Sequence, residues 1–232
     1  MNKKEKKIRF DFWKFFWVIV SIIFIFISVY VFVEANGYVV DWKNKKIQKT
    51  ALIIINSNPE DAKIYLSGKL HNRLSPARIA KIVPGWYDIK LEYTNYHTWE
   101  KTFHLDPGEA KAFDISLFLK QPEIVDKKIA ENIFEIDKTD SDLTIFKNEL
   151  YQTTTNEIKL LTRFSQNIKK VNWLNNDINL IYQIENSIYV SDITGSNQIK
   201  IYESNNDFQY RILSDSEIGL KDKDILSVLK IK

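Results

Sequence analysis

The sequence predicts an all-β ectodomain that is held to a membrane by one N-terminal transmembrane helix. Three observations support this fold class: an uncharged apolar run over residues 15–33, short alternating segments after residue 50, and a repeat of about 40 residues after residue 142. Long apolar runs are typical of membrane-spanning helices, and apolar residues that alternate with a period of two are typical of half-buried strands. The body of the chain is therefore expected to consist of antiparallel sheets.

Composition and charge exclude several classes of protein. The chain has 232 residues, of which 44% are hydrophobic, so it can bury more than one core and is not a disordered tail. The absence of cysteine excludes disulfides, thiolate metal sites and a cysteine nucleophile. The net charge is only +3, and the positive excess lies in residues 1–14. Since nucleic-acid binding needs a concentrated positive surface, we expect no nucleic-acid partner.

Residues 15–33, FFWVIVSIIFIFISVYVFV, predict a transmembrane helix. At a rise of about 1.5 Å per residue, the run approaches the thickness of the hydrocarbon core. A buried helix of a soluble protein does not fit this pattern, because a helix that is apolar on every face leaves no face for water. The lipid bilayer is therefore an expected partner, through residues 15–33.

The basic segment over residues 1–14 predicts the orientation of the helix. Its lysines and arginine place it in the cytoplasm by the positive-inside rule, so the β-domains of this single-pass protein are expected outside the cell membrane. The alternative is a secretory signal peptide that is cleaved after Ala35. An uncleaved signal anchor is favoured, because the apolar run is longer than a signal-peptide core and stays bulky to its end.

After a polar linker over residues 34–50, residues 51–120 predict a small β-module. Its alternating runs are separated by turn residues such as Pro84-Gly85 and Pro107-Gly108, in which proline fixes φ and glycine tolerates positive φ. The runs predict six strands, over residues 51–56, 62–67, 77–83, 86–93, 98–105 and 111–119.

The turn residues of this module resemble those of the PEGA domain. The matching segments are Ser57-Asn58-Pro59-Glu60-Asp61-Ala62-Lys63-Ile64-Tyr65-Leu66-Ser67-Gly68, Ser75-Pro76, Pro84-Gly85-Trp86-Tyr87 and Asn95-Tyr96. Two positions depart from the family pattern, since Asp61 and Asn95 replace glycines. Both turns are still expected to form, because Asp and Asn tolerate the left-handed region better than other non-glycine residues.

The resemblance to the PEGA domain implies a compact β-sandwich of a prokaryotic envelope or surface protein. It also implies an adhesive or spacer unit without enzymatic activity. Envelope proteins or cell-wall polymer are the partners that we expect for such a unit.

Residues 121–142 are expected to be a linker because their pattern is weak, and residues 143–232 contain an internal repeat. The repeated segments are 173–180 with 213–220, and 149–161 with 187–202. A period near 40 with four short strands per repeat resembles the blades of WD40 or TolB-type β-propellers. The resemblance implies that Trp173 packs between neighbouring sheets.

The repeats of residues 143–232 amount to two or three partial blades, whereas a closed propeller needs about four to eight. An open stack of blades would expose an apolar face and edge, which favours pairing with another chain. Three arrangements remain: part of a longer or degenerate propeller, a ring that self-association completes, and a small independent β-domain. The first is favoured, because residues 226–231 resemble an interrupted strand.

The sequence predicts no catalytic, cofactor-binding or metal-binding residue. It contains no glycine-rich phosphate loop and no common hydrolase motif. Its three histidines, His71, His97 and His104, provide few general bases or metal ligands. His97 and His104 are expected on opposite faces of one strand, where they cannot share a metal ion.

Other chemically suggestive side chains have a structural interpretation. The acidic run Asp137, Asp140 and Asp142 lacks the glycine and distal glutamate of a calcium loop, so it predicts a solvated turn. Asp106 and Glu109 flank a turn tip, where solvent gives no reason for the separated pKa values of a catalytic pair. The aromatic residues near β-turns are expected mostly in the core rather than in a glycan-binding strip, because alternation places neighbours on opposite faces. These aromatic residues are Trp86, Tyr87, Tyr93, Tyr96 and Trp99.

The expected function is non-catalytic binding or scaffolding at the cell surface by a membrane-anchored β-ectodomain. The alternative is a membrane-tethered extracytoplasmic hydrolase with its site in the propeller-like region. That alternative requires acids or a metal to converge among four loops, at residues 137–142, 175–177, 205–207 and 214–217. A sensor is disfavoured, because the cytoplasmic segment is too short for an output domain.

Overall fold

A computed structural model of the chain describes residues 12–41, 46–125, 127–134, 140–155, 157–174, 177–223 and 225–232. Within these ranges the chain has one α-helix, 20 strands and one short 3₁₀ helix. The predicted fold class, an all-β body with a single N-terminal helix, is confirmed.

The chain forms two compact units that are not contiguous in sequence. The first unit comprises Met1–Leu52, Ile79–Gly85 and Leu105–Ala110. The second unit comprises Ile53–Arg78, Trp86–His104 and Lys111–Lys232.

Helix α1 spans Phe12–Ala35 and contains the predicted transmembrane run. Over Trp13–Ala35 it is long and apolar enough to cross a membrane. The helix ends at Ala35, and Gly37 in the following turn has a φ of +75°, which glycine adopts without steric cost. Residues 1–11 of the predicted cytoplasmic segment lie outside the described residues.

A short hairpin follows the helix, in the region that the sequence predicts as a linker. Its strands β1 (Tyr38–Asp41) and β2 (Lys46–Lys49) are antiparallel. The backbone N–H and the hydroxyl of Thr50 both donate to the carbonyl of Gly37, at 2.7 and 3.0 Å. The connection from the helix to the first β-module therefore contains hydrogen-bonded structure.

The first β-module contains seven strands in two sheets. The strands are β3 (Ala51–Asn58), β4 (Lys63–Leu66), β5 (Lys69–Leu74), β6 (Ala77–Ile82), β7 (Gly85–Glu92), β8 (Trp99–Leu105) and β9 (Ala110–Ser116). The sheets have the strand orders β6-β3-β9 and β5-β4-β7-β8. The rings of Trp99 and Phe103 on β8 contact the ring of Phe113 on β9, so the two sheets form the layers of a sandwich.

Strand β5 is absent from the six strands that the sequence predicts. Its side chains are exposed except for His71, which is half-buried. A strand without a buried face shows no apolar alternation, so its pattern gives no period-two signal.

The two turns with replaced glycines form as the sequence predicts. Asp61 and Asn95 adopt φ values of +62° and +67°, in the left-handed region. Ser75 holds the first of these turns and is 1% exposed. Its hydroxyl accepts the backbone N–H of Ala62 at 2.9 Å, and its carbonyl accepts that of Asp61 at 2.8 Å.

Three antiparallel sheets make up the C-terminal region. Strand β10 (Glu123–Val125) and a 3₁₀ helix (Glu131–Phe134) precede them. The first sheet contains β11 (Leu143–Phe146), β12 (Glu149–Thr153) and β13 (Ile158–Arg163). The second sheet contains β14 (Lys170–Leu174), β15 (Asn179–Ile184), β16 (Ser187–Asp192) and β17 (Ile199–Glu203). The third sheet contains β18 (Phe208–Ser214), β19 (Glu217–Asp222) and β20 (Ile225–Lys230), and β10 pairs with the outer edge of β20.

The sequence repeat corresponds to equivalent hairpins in these sheets. Residues 173–180 connect β14 to β15, and residues 213–220 connect β18 to β19. Strand β10 lies beside β20 as β17 lies beside β16, so part of the predicted linker 121–142 belongs to the third sheet. The sheets of the described residues do not close into a ring, and the propeller architecture is not confirmed.

Buried side chains and one polar network join the three C-terminal sheets. One apolar cluster connects the first and second sheets, and another connects the second and third sheets. The phenol of Tyr210 on β18 donates to Asn172 on β14 at 3.1 Å, and the Asn172 amide donates to Asp140 at 3.4 Å. The network therefore extends from the loop before β11 to the third sheet.

Residues 117–119, which follow strand β9, contact both the first β-module and the C-terminal region. The ring of Phe118 is 3% exposed and packs in the cluster of the second and third sheets. The carbonyl of Phe118 accepts the N–H of His97 at 2.8 Å, and the N–H of Leu119 donates to Ile231 at 3.0 Å. These parts of the second unit therefore share one core.

The Ser75→Ala substitution is expected to destabilise the first β-module by about 1–2 kcal/mol, because it leaves the buried N–H of Ala62 without its acceptor. Urea unfolding of the full chain in detergent micelles measures this effect. The control is Ser165→Ala, which alters an exposed serine and is expected to leave the midpoint unchanged. Equal midpoints for the two variants would contradict the assigned role of Ser75.

Candidate functional site

One face of the sheet β5-β4-β7-β8 is open to solvent. Alternation along β7 buries Ile89 and Leu91, which are 1% and 0% exposed, and turns Trp86, Asp88 and Lys90 outward. We call this surface the Trp86 face; it comprises Tyr65, Trp86, Asp88, Lys90, Glu92, Glu100, Thr102 and His104.

The indole of Trp86 is the most prominent feature of this face. Trp86 is 72% exposed, the largest exposed fraction among the large hydrophobic residues of the described chain. The ring of His104 lies 5.2 Å from it at an interplanar angle of 69°, an edge-to-face contact that orients the indole. A flat, open aromatic ring in a fixed orientation suits contact with a partner, because it offers a large area at little cost in side-chain entropy.

Polar side chains around Trp86 form hydrogen bonds and ion pairs with one another. The hydroxyl of Thr102 donates to Asp88 at 2.6 Å. The ammonium of Lys90 lies 2.6 Å from the carboxylate of Glu92 and 5.4 Å from the centre of the Tyr65 ring. The hydrogen bonds from Lys90 and then Tyr65 lower the pKa of Glu92, so its carboxylate stays ionised at neutral pH. The face therefore presents oriented carboxylate and hydroxyl groups beside an aromatic ring.

The five aromatic residues of the sequence analysis do not form one strip. Trp99 is 7% exposed and lies in the core, and Tyr87 is half-buried. Tyr93 and Tyr96 contact each other edge to face at 5.3 Å. Among these five residues, only Trp86 belongs to the open face of the sheet.

Trp99 instead connects the first β-module to the second C-terminal sheet. Its indole N–H donates to Asp192 at 3.1 Å, and Asp192 also accepts from the amide of Asn197 at 2.9 Å. Asn197 in turn exchanges hydrogen bonds with the backbone of Glu100, at 3.0 and 3.1 Å. This tryptophan therefore has a structural role.

The structure separates the histidines. His97 precedes β8, is half-buried, and has a pKa that burial and then the charge of Lys120 lower. His104 lies near the other end of this strand, roughly 20 Å away at the usual rise per residue, and His71 lies on β5. Across the described parts of the chain, no group of three or more His, Asp or Glu residues is placed to hold a metal ion.

Two aspartates of the acidic run before β11 accept hydrogen bonds from strand β14. Asp140 accepts the backbone N–H of Trp173 at 2.7 Å, and the two oxygens of Asp142 lie 3.0 and 3.1 Å from the indole nitrogen of Trp173. Both aspartates are partly buried, in contrast to the solvated turn that the sequence predicts, and Asp137 lies outside the described residues. Trp173 packs against the cluster between the first two sheets, as the blade resemblance implies.

Two carboxylates of the loops that the hydrolase alternative requires lie at opposite ends of strand β18. Asp207 precedes β18 and Asp215 follows it, so this strand separates them by roughly 20 Å. Residues 175–176 of another required loop lie outside the described residues. In the first unit, the Glu109 carboxylate accepts the N–H of Asp106 at 2.8 Å and closes the turn.

A polar cleft of about 240 Å³ is the feature that sequence reasoning missed. Asn56, Asp114, Asp215 and Lys232 contribute to its lining. Lys232 is 8% exposed, and its ammonium donates to Ser116 at 3.2 Å. Burial lowers the pKa of Lys232 to about 8, and the Asp215 carboxylate opposes this shift. The local sequence, LKIK, gives no signal for burial of its last lysine.

Residues 50–121 match the PEGA domain family. The match covers both sheets of the first β-module and indicates an extracellular or surface module. No curated protein matches the chain.

The low pKa of Lys232 predicts that the protein becomes more stable as pH rises from about 8 towards 10.5. Below pH 8 the folded state holds a buried charge that the unfolded state keeps in water. Above pH 8 the folded state releases this proton first, and the penalty, on the order of 3 kcal/mol, disappears.

The prediction is tested by urea unfolding of the full chain at several pH values. Lys232→Met is expected to be more stable than the parent chain at pH 7 and to lose that advantage by pH 10. The control Lys230→Met changes an exposed neighbour. A constant difference between the parent chain and Lys232→Met over this pH range would refute the prediction.

Proposed function

We propose that this chain is a non-catalytic binding or scaffolding protein of the prokaryotic cell envelope. Helix α1 spans the cell membrane with its N-terminus in the cytoplasm, and the β-domains lie outside. The apolar length of the helix and the PEGA match over residues 50–121 support this assignment.

The exposed indole of Trp86 is the observation that carries the proposed binding function. An aromatic ring open on one face can stack on the apolar face of a sugar, and the neighbouring Asp88 and Thr102 supply hydrogen-bonding oxygens. Cell-wall polymer, with repeated sugar rings, has the chemistry that this surface fits best. The Trp86 face therefore binds the cell wall, and helix α1 anchors the protein in the membrane.

The positions of the acidic residues support a function without catalysis. Asp140 and Asp142 are used as acceptors for Trp173, and Asp207 and Asp215 lie at opposite ends of one strand. Hydrolysis by paired carboxylates needs two such groups within a few ångströms of the scissile bond. Asp207 and Asp215 are too far apart for such a pair, which disfavours a hydrolase site built on these two carboxylates.

The proposed orientation predicts that protease added to intact cells degrades the β-domains and leaves a membrane-bound fragment that contains α1. A cytoplasmic marker protein is the control and is expected to survive until the cells are opened. Protection of the β-domains in intact cells would overturn the orientation. Recovery of the chain in the medium, beginning at Asn36, would overturn the anchor.

The proposed binding surface predicts that Trp86→Ala weakens sedimentation of the full chain with purified cell-wall sacculi by roughly 10- to 30-fold in affinity, the effect of losing a central aromatic contact. Folding is expected to persist, because Trp86 is outside the core. Phe146→Ala is the matched control, since Phe146 is 61% exposed on another sheet. Equal losses for both variants, or no loss for Trp86→Ala, would reject this surface.

A further inference from the structure

The first unit contains a cavity at the C-terminal end of helix α1. The cavity has a volume of about 200 Å³. Tyr30, Val33, Tyr38 and Val39 supply apolar walls, and Glu34 and Lys81 supply one negative and one positive group. A cavity of this volume and lining can hold a small polar group and the beginning of an apolar chain.

Backbone contacts fix the shape of this cavity. Gly37 lies in the turn after the helix and donates its N–H to the carbonyl of Glu34 at 3.0 Å. Its own carbonyl accepts two hydrogen bonds from Thr50. The helix end and the start of β3 are thereby held together within the first unit. The cavity is a built feature of the helix terminus.

Lys81 is brought to the cavity by a local break in strand β6. Alternation along β6 is interrupted, because Ala80 and Lys81 are both exposed before the buried Ile82. Lys81 adopts a φ of +59°, which is uncommon for a lysine and is typical of a bulge. The ammonium of Lys81 consequently lies 2.7 Å from the carboxylate of Glu34.

The two charged side chains at this site lie next to each other and are exposed to solvent. The side chains of Lys81 and Glu34 are 68% and 46% exposed, so both charged groups still face outward from the protein. The helix C-terminus adds partial negative charge from its last carbonyls, which favours a cation near Glu34. A ligand with an ammonium and an anion a short distance apart is complementary to this pair.

We propose that the cavity binds the headgroup of a zwitterionic phospholipid of the surrounding bilayer, with the lipid ammonium at Glu34 and the lipid phosphate at Lys81. This inference rests on the proposed membrane anchor, because α1 then places the cavity at the bilayer surface. The apolar walls are continuous with the exposed side of the helix at Tyr30, which is 63% exposed, so the glycerol and acyl chains leave along the helix.

Phosphatidylethanolamine fits this site better than the other common headgroups. Its primary ammonium donates hydrogen bonds to a carboxylate, whereas the methylated ammonium of phosphatidylcholine has no N–H to donate. The net negative charge of phosphatidylglycerol meets Lys81 but is repelled by Glu34. The site therefore selects a headgroup that carries both charges and an N–H donor.

Native mass spectrometry of the full chain in detergent micelles tests this selectivity with dioleoyl phosphatidylethanolamine, phosphatidylcholine and phosphatidylglycerol at equal concentrations. Retention of the first lipid is expected to exceed that of the other two at least about threefold, the effect of a partly exposed charge-assisted hydrogen bond. Glu34→Gln is expected to weaken this preference, because the glutamine oxygen still accepts a hydrogen bond but carries no charge. Equal retention of the three lipids, or an unchanged preference in Glu34→Gln, refutes the proposal.

Two further variants separate lipid binding from folding. Val39→Phe fills the cavity but keeps both charges, and it is expected to abolish the preference. Lys101→Met removes an exposed lysine of β8 and is expected to retain it. Far-UV circular dichroism verifies that each variant is folded. If Val39→Phe is folded and keeps the preference, the lipid does not occupy this cavity.

Membrane fractionation distinguishes this inference from the proposed anchor. A chain that stays in the membrane pellet after carbonate washing but shows no lipid preference disproves only the headgroup site. A chain that is released by the wash disproves the anchor itself.

Discussion

The ring of Phe118 lies where the first β-module ends and in the core between the second and third C-terminal sheets. Backbone hydrogen bonds on both sides hold its segment, from His97 to Phe118 and from Leu119 to Ile231. Because these bonds and the buried ring involve both regions, the segment after strand β9 cannot loosen without exposing the C-terminal core. Within the second compact unit, residues 117–119 therefore connect strand β9 to the C-terminal sheets.

This shared core decides which aromatic residues remain for a partner. Trp99 lies at the junction and uses its indole N–H on Asp192, whereas Trp86 lies on the opposite face of the same sheet and keeps most of its ring in water. The acidic residues divide in a similar way. Asp140 and Asp142 are used to hold Trp173, and Asp88 is left beside the exposed ring of Trp86. Tryptophan and aspartate side chains thus stabilise the structure where they are buried, and they are open to a partner where they are exposed.

Lys81 of strand β6 pairs with Glu34 at the C-terminal end of helix α1. A carboxylate at the C-terminal end of a helix is unfavourable next to the last carbonyls, and Lys81 offsets this charge at Glu34. The composition of residues 34–50 predicts only a polar linker, whereas the structure pairs strand β1 with strand β2 there. The positive φ of Lys81, which brings its ammonium to the helix, has no signature in the sequence.

The sequence by itself determined the helix, the alternating strands, the left-handed turns at Asp61 and Asn95 and the equivalence of the repeated hairpins. These features depend on neighbours within a few residues or on a fixed period, so they are visible in the order of the side chains. Tertiary structure decided the pairing of β10 with β20, the burial of Lys232 and the exposure of Trp86. Each of these depends on contacts between residues far apart in the chain, and short-range pattern carries no information about which distant surface will cover a given side chain.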